Sequence, residues 1–210
     1  YGVKTPIVAV SNGIVLSKYK KDPKKEEVFR KHFNIQEGEK VVLCAGLYFR
    51  RKGIEDFVEV ARRMPDVRFI WLGSINKWLI PRAIRRLVEK DHPSNVEFPG
   101  YFKGAVFQGA MTGADAFFFP SYEETEGIVV LEALAGHQHV VLRDIPVYHG
   151  WVDQESAELC HSVDEFVDSL EKVLSGQVDK RDAGDRVAQS RSIDLVADQL
   201  VKAYQQVLEM

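Results

Sequence analysis

Cysteine is scarce in this 210-residue chain. Cys44 and Cys160 are too few for a disulfide framework and sit in no zinc-ligand spacing, so reduced thiols in a cytosolic protein are the simple expectation. Long apolar runs are missing as well: nothing approaches the roughly 20 residues that cross a bilayer. There is no basic excess, the formal charge being -3, which argues against nucleic acid as a partner. The Walker A pattern, the Gly-x-Gly-x-x-Gly of dinucleotide enzymes and the Asp-x-Asp of many metal-dependent transferases are all absent. The opening Tyr1-Gly2-Val3-Lys4 shows no signal-peptide pattern and no methionine, and reads as a piece of a longer protein or a trimmed tag. With 45% apolar and 28% charged residues, what remains is an ordinary globular chain.

What is present is alternation. Short β-rich runs at Ile7–Ser11, Lys40–Ala45, Val67–Leu72, Asn95–Phe98, Ala116–Phe119, His139–Leu142 and Ala157–Cys160 are separated by helix-length segments. The runs around Cys44, Trp71 and Phe118 are continuously apolar, as strands buried on both faces of a parallel sheet are. Ile54-Phe57-Val58-Val60-Ala61 and Val163-Phe166-Val167-Leu170-Val173 carry the three- and four-residue spacing of amphipathic helices. The pattern predicts an α/β fold, a Rossmann-like doubly wound parallel sheet. A last helical run, Ser192 to Glu209, follows the final strand and is expected to pack outside the sheet. The lysine-rich Lys18 to Lys25 reads as a solvated loop leading into a helix.

In such sheets ligands bind beyond the carboxyl ends of the strands, so the loops after Cys44, Leu72, Phe98 and Phe119 are where site residues belong. After Cys44 comes Gly46, then Arg50-Arg51-Lys52 just before a helix opening at Gly53. Cations beside a helix N-terminus suit a dianionic group, and Lys52 is the stronger candidate, with either arginine free to face water. After Phe119 comes Pro120-Ser121-Tyr122-Glu123-Glu124-Thr125-Glu126-Gly127, then a helix whose apolar face (Ile128, Val129, Leu131, Ala135) is expected to turn to the sheet. Glu124 in the loop and Glu132 in the second helical turn can hold different parts of one polyhydroxylated ligand, since carboxylates accept from paired hydroxyls. The backbone N–H groups of Gly127, Ile128 and Val129 add donors. Gly100-Tyr101-Phe102 can offer backbone groups and a ring to a base, although core aromatics are the commoner explanation.

Read in order, Ser11-Asn12-Gly13-Ile14, Gly46 with Lys52-Gly53, Val96-Glu97-Phe98-Pro99-Gly100-Tyr101, Ala114-Asp115, Pro120-Ser121 and the spacing from Glu124 to Glu132 form one ordered set. That set resembles the C-terminal domain of the retaining GT-B glycosyltransferases of group 1 (family 4), over nearly the whole chain. The resemblance implies that residues 1–210 are a nucleotide-sugar (donor) domain whose N-terminal acceptor domain lies outside this sequence, so that the fragment alone would not catalyse transfer. It places Lys52 on the diphosphate, Glu124 on the transferred sugar, Glu132 on the ribose, Gly100, Tyr101 and Phe102 by the base, and Gly127 to Val129 facing the sugar. It implies no cofactor and no metal, only a nucleoside diphosphate sugar as substrate. Gly46-Leu47-Tyr48-Phe49-Arg50-Arg51-Lys52-Gly53 is most similar to bacterial diacylglycerol glucosyltransferases, which points to UDP-glucose as donor, a membrane glycerolipid as acceptor, and a cytoplasmic protein, peripheral at most on the membrane's cytoplasmic face.

Three departures stand out: Leu47 where the family has an arginine, for which Arg50 or Arg51 would have to substitute; Glu126 where it has an aromatic; and His137-Gln138-His139 where it has Gly-x-Pro. Trp78-Leu79-Ile80-Pro81-Arg82 with Arg85 and Arg86 reads first as a packed amphipathic helix and second as a membrane contact. A UDP-N-acetylhexosamine 2-epimerase-like isomerase and a non-catalytic Rossmann-like module are the competing readings.

Overall fold

The computed structural model describes residues 7–208, so the opening Tyr1-Gly2-Val3-Lys4 and Glu209 of the last predicted helix lie outside the described residues. One parallel sheet holds β1 (Val41–Ala45), β2 (Arg68–Leu72), β3 (Val96–Gly100), β4 (Ala116–Phe119), β5 (Val140–Arg143) and β6 (Glu158–Cys160), in the order β3-β2-β1-β4-β5-β6. Helices α1 (Pro23–His32), α2 (Ile54–Arg63), α3 (Arg82–Glu89), α4 (Gly104–Gly113), α5 (Ile128–Ala135), α6 (Val163–Leu174), α7 (Arg181–Ser190) and α8 (Ile193–Leu208) alternate with the strands or follow them. Contacts group α2 with α3 and α6, and α1 with α4, α5 and α7. This is the predicted doubly wound, Rossmann-like sheet.

Burial explains the strands. Every residue of β1 and of β4 is buried, because helices cover both faces of the sheet. The predicted face of α2 is the observed one: Ile54, Phe57, Val58, Val60 and Ala61 are all buried. Phe57 sets its ring edge-on to Trp71 at 5.0 Å between centroids and stacks on Phe118 at 5.8 Å, joining helix to sheet. Helix α6 starts where Ser162 accepts the Glu165 N–H at 3.2 Å, an N-cap that satisfies one of the free donors of the first turn. Asp22 does the same for α1, accepting from Lys24 at 3.0 Å, so the lysine-rich run does lead into a helix.

Two expectations need correction. Ile7–Ser11 forms no strand: Ile7 and Val8 are 82% and 56% exposed, and the polar groups at Ser11 and Asn12 are taken by Glu126 instead of a sheet edge. β propensity reports a half-buried surface, and here no partner strand supplies one. Helix α5 buries Val130, Leu131, Ala133 and Leu134, while Ile128 is exposed and Val129 and Ala135 are half-buried. Its first turn leaves a left-handed Gly127 (φ 81°), which sets a rotation that apolar spacing alone did not reveal.

The chain winds outward from β1 through β2 to β3, and from β4 through β5 to β6, so β1 and β4 flank the switch point. The loops after them are clasped together. The Arg51 carbonyl accepts the Tyr122 N–H at 2.8 Å and the Ser121 hydroxyl at 3.2 Å. Gly53 has φ 79°, and a Cβ there would sit 2.3 Å from the Pro120 carbonyl oxygen. We therefore expect Gly53→Ala to destabilise the chain by about 2 kcal/mol or more, from the left-handed backbone together with the clash. Urea unfolding checks this, and a loss within about 0.5 kcal/mol would show that the clasp yields at little cost.

Candidate functional site

The switch point holds an ion pair. The Lys52 ammonium bonds the Glu124 carboxylate across the two loops, with side chains only 13% and 7% exposed. Lys52 also lies over the Phe119 ring at 5.4 Å. Glu124 is followed by Gly127, beyond which no side chain caps α5, so the first N–H groups of that helix face outward as donors. A cation, a carboxylate and free amides thus converge where β1 and β4 end. The two arginines go elsewhere: Arg50 is exposed and pairs with Glu55 at 2.8 Å, and Arg51 donates to the Glu123 carbonyl at 2.9 Å.

On the β1–β2–β3 side the rim opens into an apolar slot of about 230 Å³, lined by Ala45, Gly46, Leu47, Leu72, Gly73, Ser74, Tyr101, Phe102, Phe107 and Val129. Gly46, Tyr101, Phe102 and Val129 of the predicted set therefore share one cleft. Tyr101 is 72% exposed at its mouth, and Phe102 is braced edge-on by His32 and Phe33 at 5.0 and 5.5 Å. Gly100 itself is engaged, its N–H donating to the Tyr48 hydroxyl at 3.2 Å and its carbonyl accepting from Gly73 at 2.8 Å. Burial pushes the Tyr48 phenol up to about 12, which keeps it a neutral partner for that bond.

On the α5 side two further carboxylates are held. Glu132 accepts from the Tyr19 hydroxyl. Burial raises its pKa, and the Tyr19 bond and the Lys18 charge only partly offset that. Glu126 accepts from the Ser11 hydroxyl, from Asn12 N–H at 3.0 Å and from Arg191 at 3.2 Å. Burial pushes this carboxyl up, but those bonds together hold it below the ordinary carboxylate range. Ile14 bridges to Ser192, with Ile14 N–H donating to the Arg191 carbonyl at 3.0 Å. The segment before α1 and the start of α8 thus meet beside the loop that carries Glu124.

Sequence reasoning missed Tyr19, Arg191 and Tyr148, and gave Ser11 a place in the motif set without a contact. Tyr19, buried in the structure, had a sequence signal: it is the one aromatic in the lysine-rich Lys18 to Lys25. Tyr148 lies beneath Gly127, where a Cβ would come within 3.0 Å of its ring, and its buried hydroxyl has no hydrogen-bond partner. Nothing in the sequence around it marks it out. A larger hollow of about 460 Å³ opens at the opposite rim among Lys21, Lys40, Asp115, Gln138 and His139, away from all of these residues. Among the described residues no group of three or more His, Cys, Asp or Glu is placed to hold a metal ion, and no helix is long and apolar enough to cross a membrane.

A parallel sheet with a cation, carboxylates and helix amides at its switch point, beside an apolar slot, has the chemistry to receive an anionic, hydroxyl-bearing ligand. The family model "Glycosyl transferases group 1" matches residues 25–190, and the chain belongs to that family. It is 49% identical, over 99% of its own length, to the processive diacylglycerol alpha-glucosyltransferase of Acholeplasma laidlawii, of which it spans 63%. It is 28% identical over 145 residues to the alpha-galactosylglucosyldiacylglycerol synthase of Streptococcus pneumoniae, covering 68% of this chain and 39% of that one. Among solved structures, sucrose-phosphate synthase from Thermosynechococcus elongatus superposes with TM-score 0.81 at 21% identity, over 94% of this chain and 51% of that one. Anabaena Alr3699/HepE, solved with UDP-glucose, gives TM-score 0.81 at 16% identity, over 94% and 57%. At such identities these two show the fold alone.

Because burial raises the Glu132 pKa, the folded chain holds that proton more tightly than the unfolded one. Stability therefore falls as pH rises from the ordinary carboxylate range through the raised value. Glu132→Gln is expected to raise the melting temperature at neutral pH by about 1–3 °C, with the gain gone near pH 4. Calorimetric scans at both pH values check it, and a drop at neutral pH would contradict it.

Proposed function

We propose that this chain is the donor-binding half of a hexosyltransferase that takes glucose from UDP-glucose, with retention at the anomeric carbon, and delivers it to a glycerolipid. The Lys52–Glu124 pair at the switch point, next to an apolar slot of base-ring size, carries this reading. The diacylglycerol glucosyltransferase activity of the 49%-identical Acholeplasma relative and the UDP-glucose held by a structural neighbour support donor and acceptor class. Membership of the transferase family favours transfer over 2-epimerisation and over a non-catalytic module.

In this reading the donor exchanges partners with the residues already in place. The diphosphate takes the Lys52 ammonium and the amides of Gly127 to Val129, while Glu124, released from Lys52, accepts sugar hydroxyls. Glu132 accepts the ribose hydroxyls in place of the Tyr19 phenol, and the base enters the slot past Tyr101 and Phe102. As the glycosidic bond breaks, positive charge grows on the sugar ring and negative charge on the leaving diphosphate. Lys52 and the helix amides stabilise the latter without reorganisation, and Glu124 orients the sugar. Arg50 or Arg51 reaches the phosphates only by leaving Glu55 or the Glu123 carbonyl. The acceptor site, and the groups that deliver the acceptor hydroxyl, belong to an N-terminal domain outside this sequence. No bound metal takes part.

Titration calorimetry with UDP, UDP-glucose and NAD tests the assignment. UDP and UDP-glucose should bind, NAD should not, and Lys52→Ala or Glu132→Ala should each weaken UDP by at least about tenfold, the worth of one charge-assisted hydrogen bond. NAD binding without UDP binding would overturn it. In the intact enzyme glucosyl transfer should survive EDTA, and transfer by this chain alone would show that the acceptor machinery is already here.

A further inference from the structure

Beyond β2 the chain makes a single 3₁₀ turn, Lys77–Leu79, before α3, and this turn does not behave as the packed amphipathic helix expected from its sequence. The segment is split. Ile80 and Ile84 face the core at 7% and 1% exposure, whereas Trp78 and Leu79 stand out at 84% and 69%. Asn76 caps the turn, accepting the Trp78 N–H at 3.1 Å, which fixes the backbone that presents them. Arg85, one turn into α3, lies over the Trp78 ring at 5.4 Å. Arg82 is exposed and Arg85 half-buried, neither with a carboxylate partner among the described residues, while Arg86 is paired with Asp91 at 2.9 Å. The turn leaves the sheet at the carboxyl end of β2, the same rim that carries the apolar slot, whose lining includes Leu72, Gly73 and Ser74 of this very connection.

We propose that Trp78 and Leu79, with Arg82 and Arg85, form a docking tip for an anionic lipid bilayer. The chemistry favours a membrane over a protein partner. A projecting indole and a leucine with unpaired guanidiniums beside them match the layered order of an interface: apolar side chains enter below the headgroups, the indole sits at their level, and the arginines meet the phosphates. The proposal extends the transferase reading by bringing the donor rim to the surface where a lipid acceptor resides, yet it is tested without nucleotide.

The test uses the 210-residue chain and the longer enzyme alike, sedimented with vesicles of phosphatidylcholine alone or mixed equally with phosphatidylglycerol. Binding is expected to the mixed vesicles and to fall with salt. Trp78→Ser with Leu79→Ser should weaken it by at least about tenfold, and Arg82→Ser or Arg85→Ser by about fivefold each on anionic vesicles. Tryptophan emission gives a second readout. Trp71 is fully buried, so a vesicle-induced blue shift and quenching by brominated lipid that vanish in Trp78→Phe, with Trp151 intact, would report Trp78 entering the bilayer. UDP titration of the same variants should be unchanged, which separates this proposal from the donor assignment. Undiminished vesicle binding of the double variant would overturn it. So would a Trp78 already shielded from soluble quencher in the longer enzyme without lipid, since that would place another part of the protein on the tip.

Discussion

A lysine and a glutamate this deeply covered cannot stand alone, and the fold around the site follows from that. Leaving either unpaired would cost several kcal/mol, so the loops after β1 and β4 must stay close enough for Lys52 to reach Glu124. The neighbouring backbone enforces it: Arg51 lends its carbonyl to two groups of the opposite loop, and Gly53 presses against Pro120. β1 and β4 are adjacent because the chain reverses its winding there, and the reversal leaves a crevice between their loops. Everything else is arranged about the pair, with the apolar slot toward β3 and the carboxylates of α5 toward the chain's two ends. An anionic ligand entering this place does not create a charged pocket. On the proposed reading it inherits one, replacing a carboxylate beside a lysine that is already desolvated and aimed.

Much of this was legible in the sequence because burial on both faces is written in composition. The runs of β1, β2 and β4 are apolar with little alternation, as in a covered parallel sheet, and the topology then put Lys52 and Glu124 in the loops after β1 and β4. Helix α2 was legible for the same reason, its spacing meeting a single neighbour surface. What escaped depends on contacts between distant segments. Tyr19 and Glu132 are 113 positions apart, and Glu126 meets Ser11 and Arg191 from opposite ends of the chain. The rotation of α5 escaped because it is set by the left-handed Gly127 and not by the helix's own nearly all-apolar surface. Strand-like composition at Ile7–Ser11 misled because propensity carries no information about whether a partner edge is free.

The departure at Glu126 has a structural account of its own. An aromatic there would have left Ser11, Asn12 and Arg191 without their common acceptor, whereas the carboxylate gathers all three. Arg191 additionally covers the Trp151 ring at 4.6 Å, so the same guanidinium links Glu126 to the loop after β5. The loop that carries Glu124 is therefore in direct contact with residues 11–14 and with the head of α8. Helix α8 contributes only Val196 to the buried core and leaves Leu195, Leu200, Val201, Tyr204 and Val207 exposed.

The slot's floor is made of backbone. At Gly73 an added methyl would lie 1.9 Å from the Gly46 carbonyl oxygen, which already accepts the Trp71 indole N–H at 2.9 Å, and Gly73 hands its own N–H to Gly100. Three strands are thus stitched at one level, mostly by backbone groups. The depth of the cleft is fixed by the sheet, and only its walls, at Leu47, Tyr101, Phe107 and Val129, are open to change. Redesign of what this cleft accepts is consequently a problem of reshaping width and lid, with depth a constant inherited from the fold.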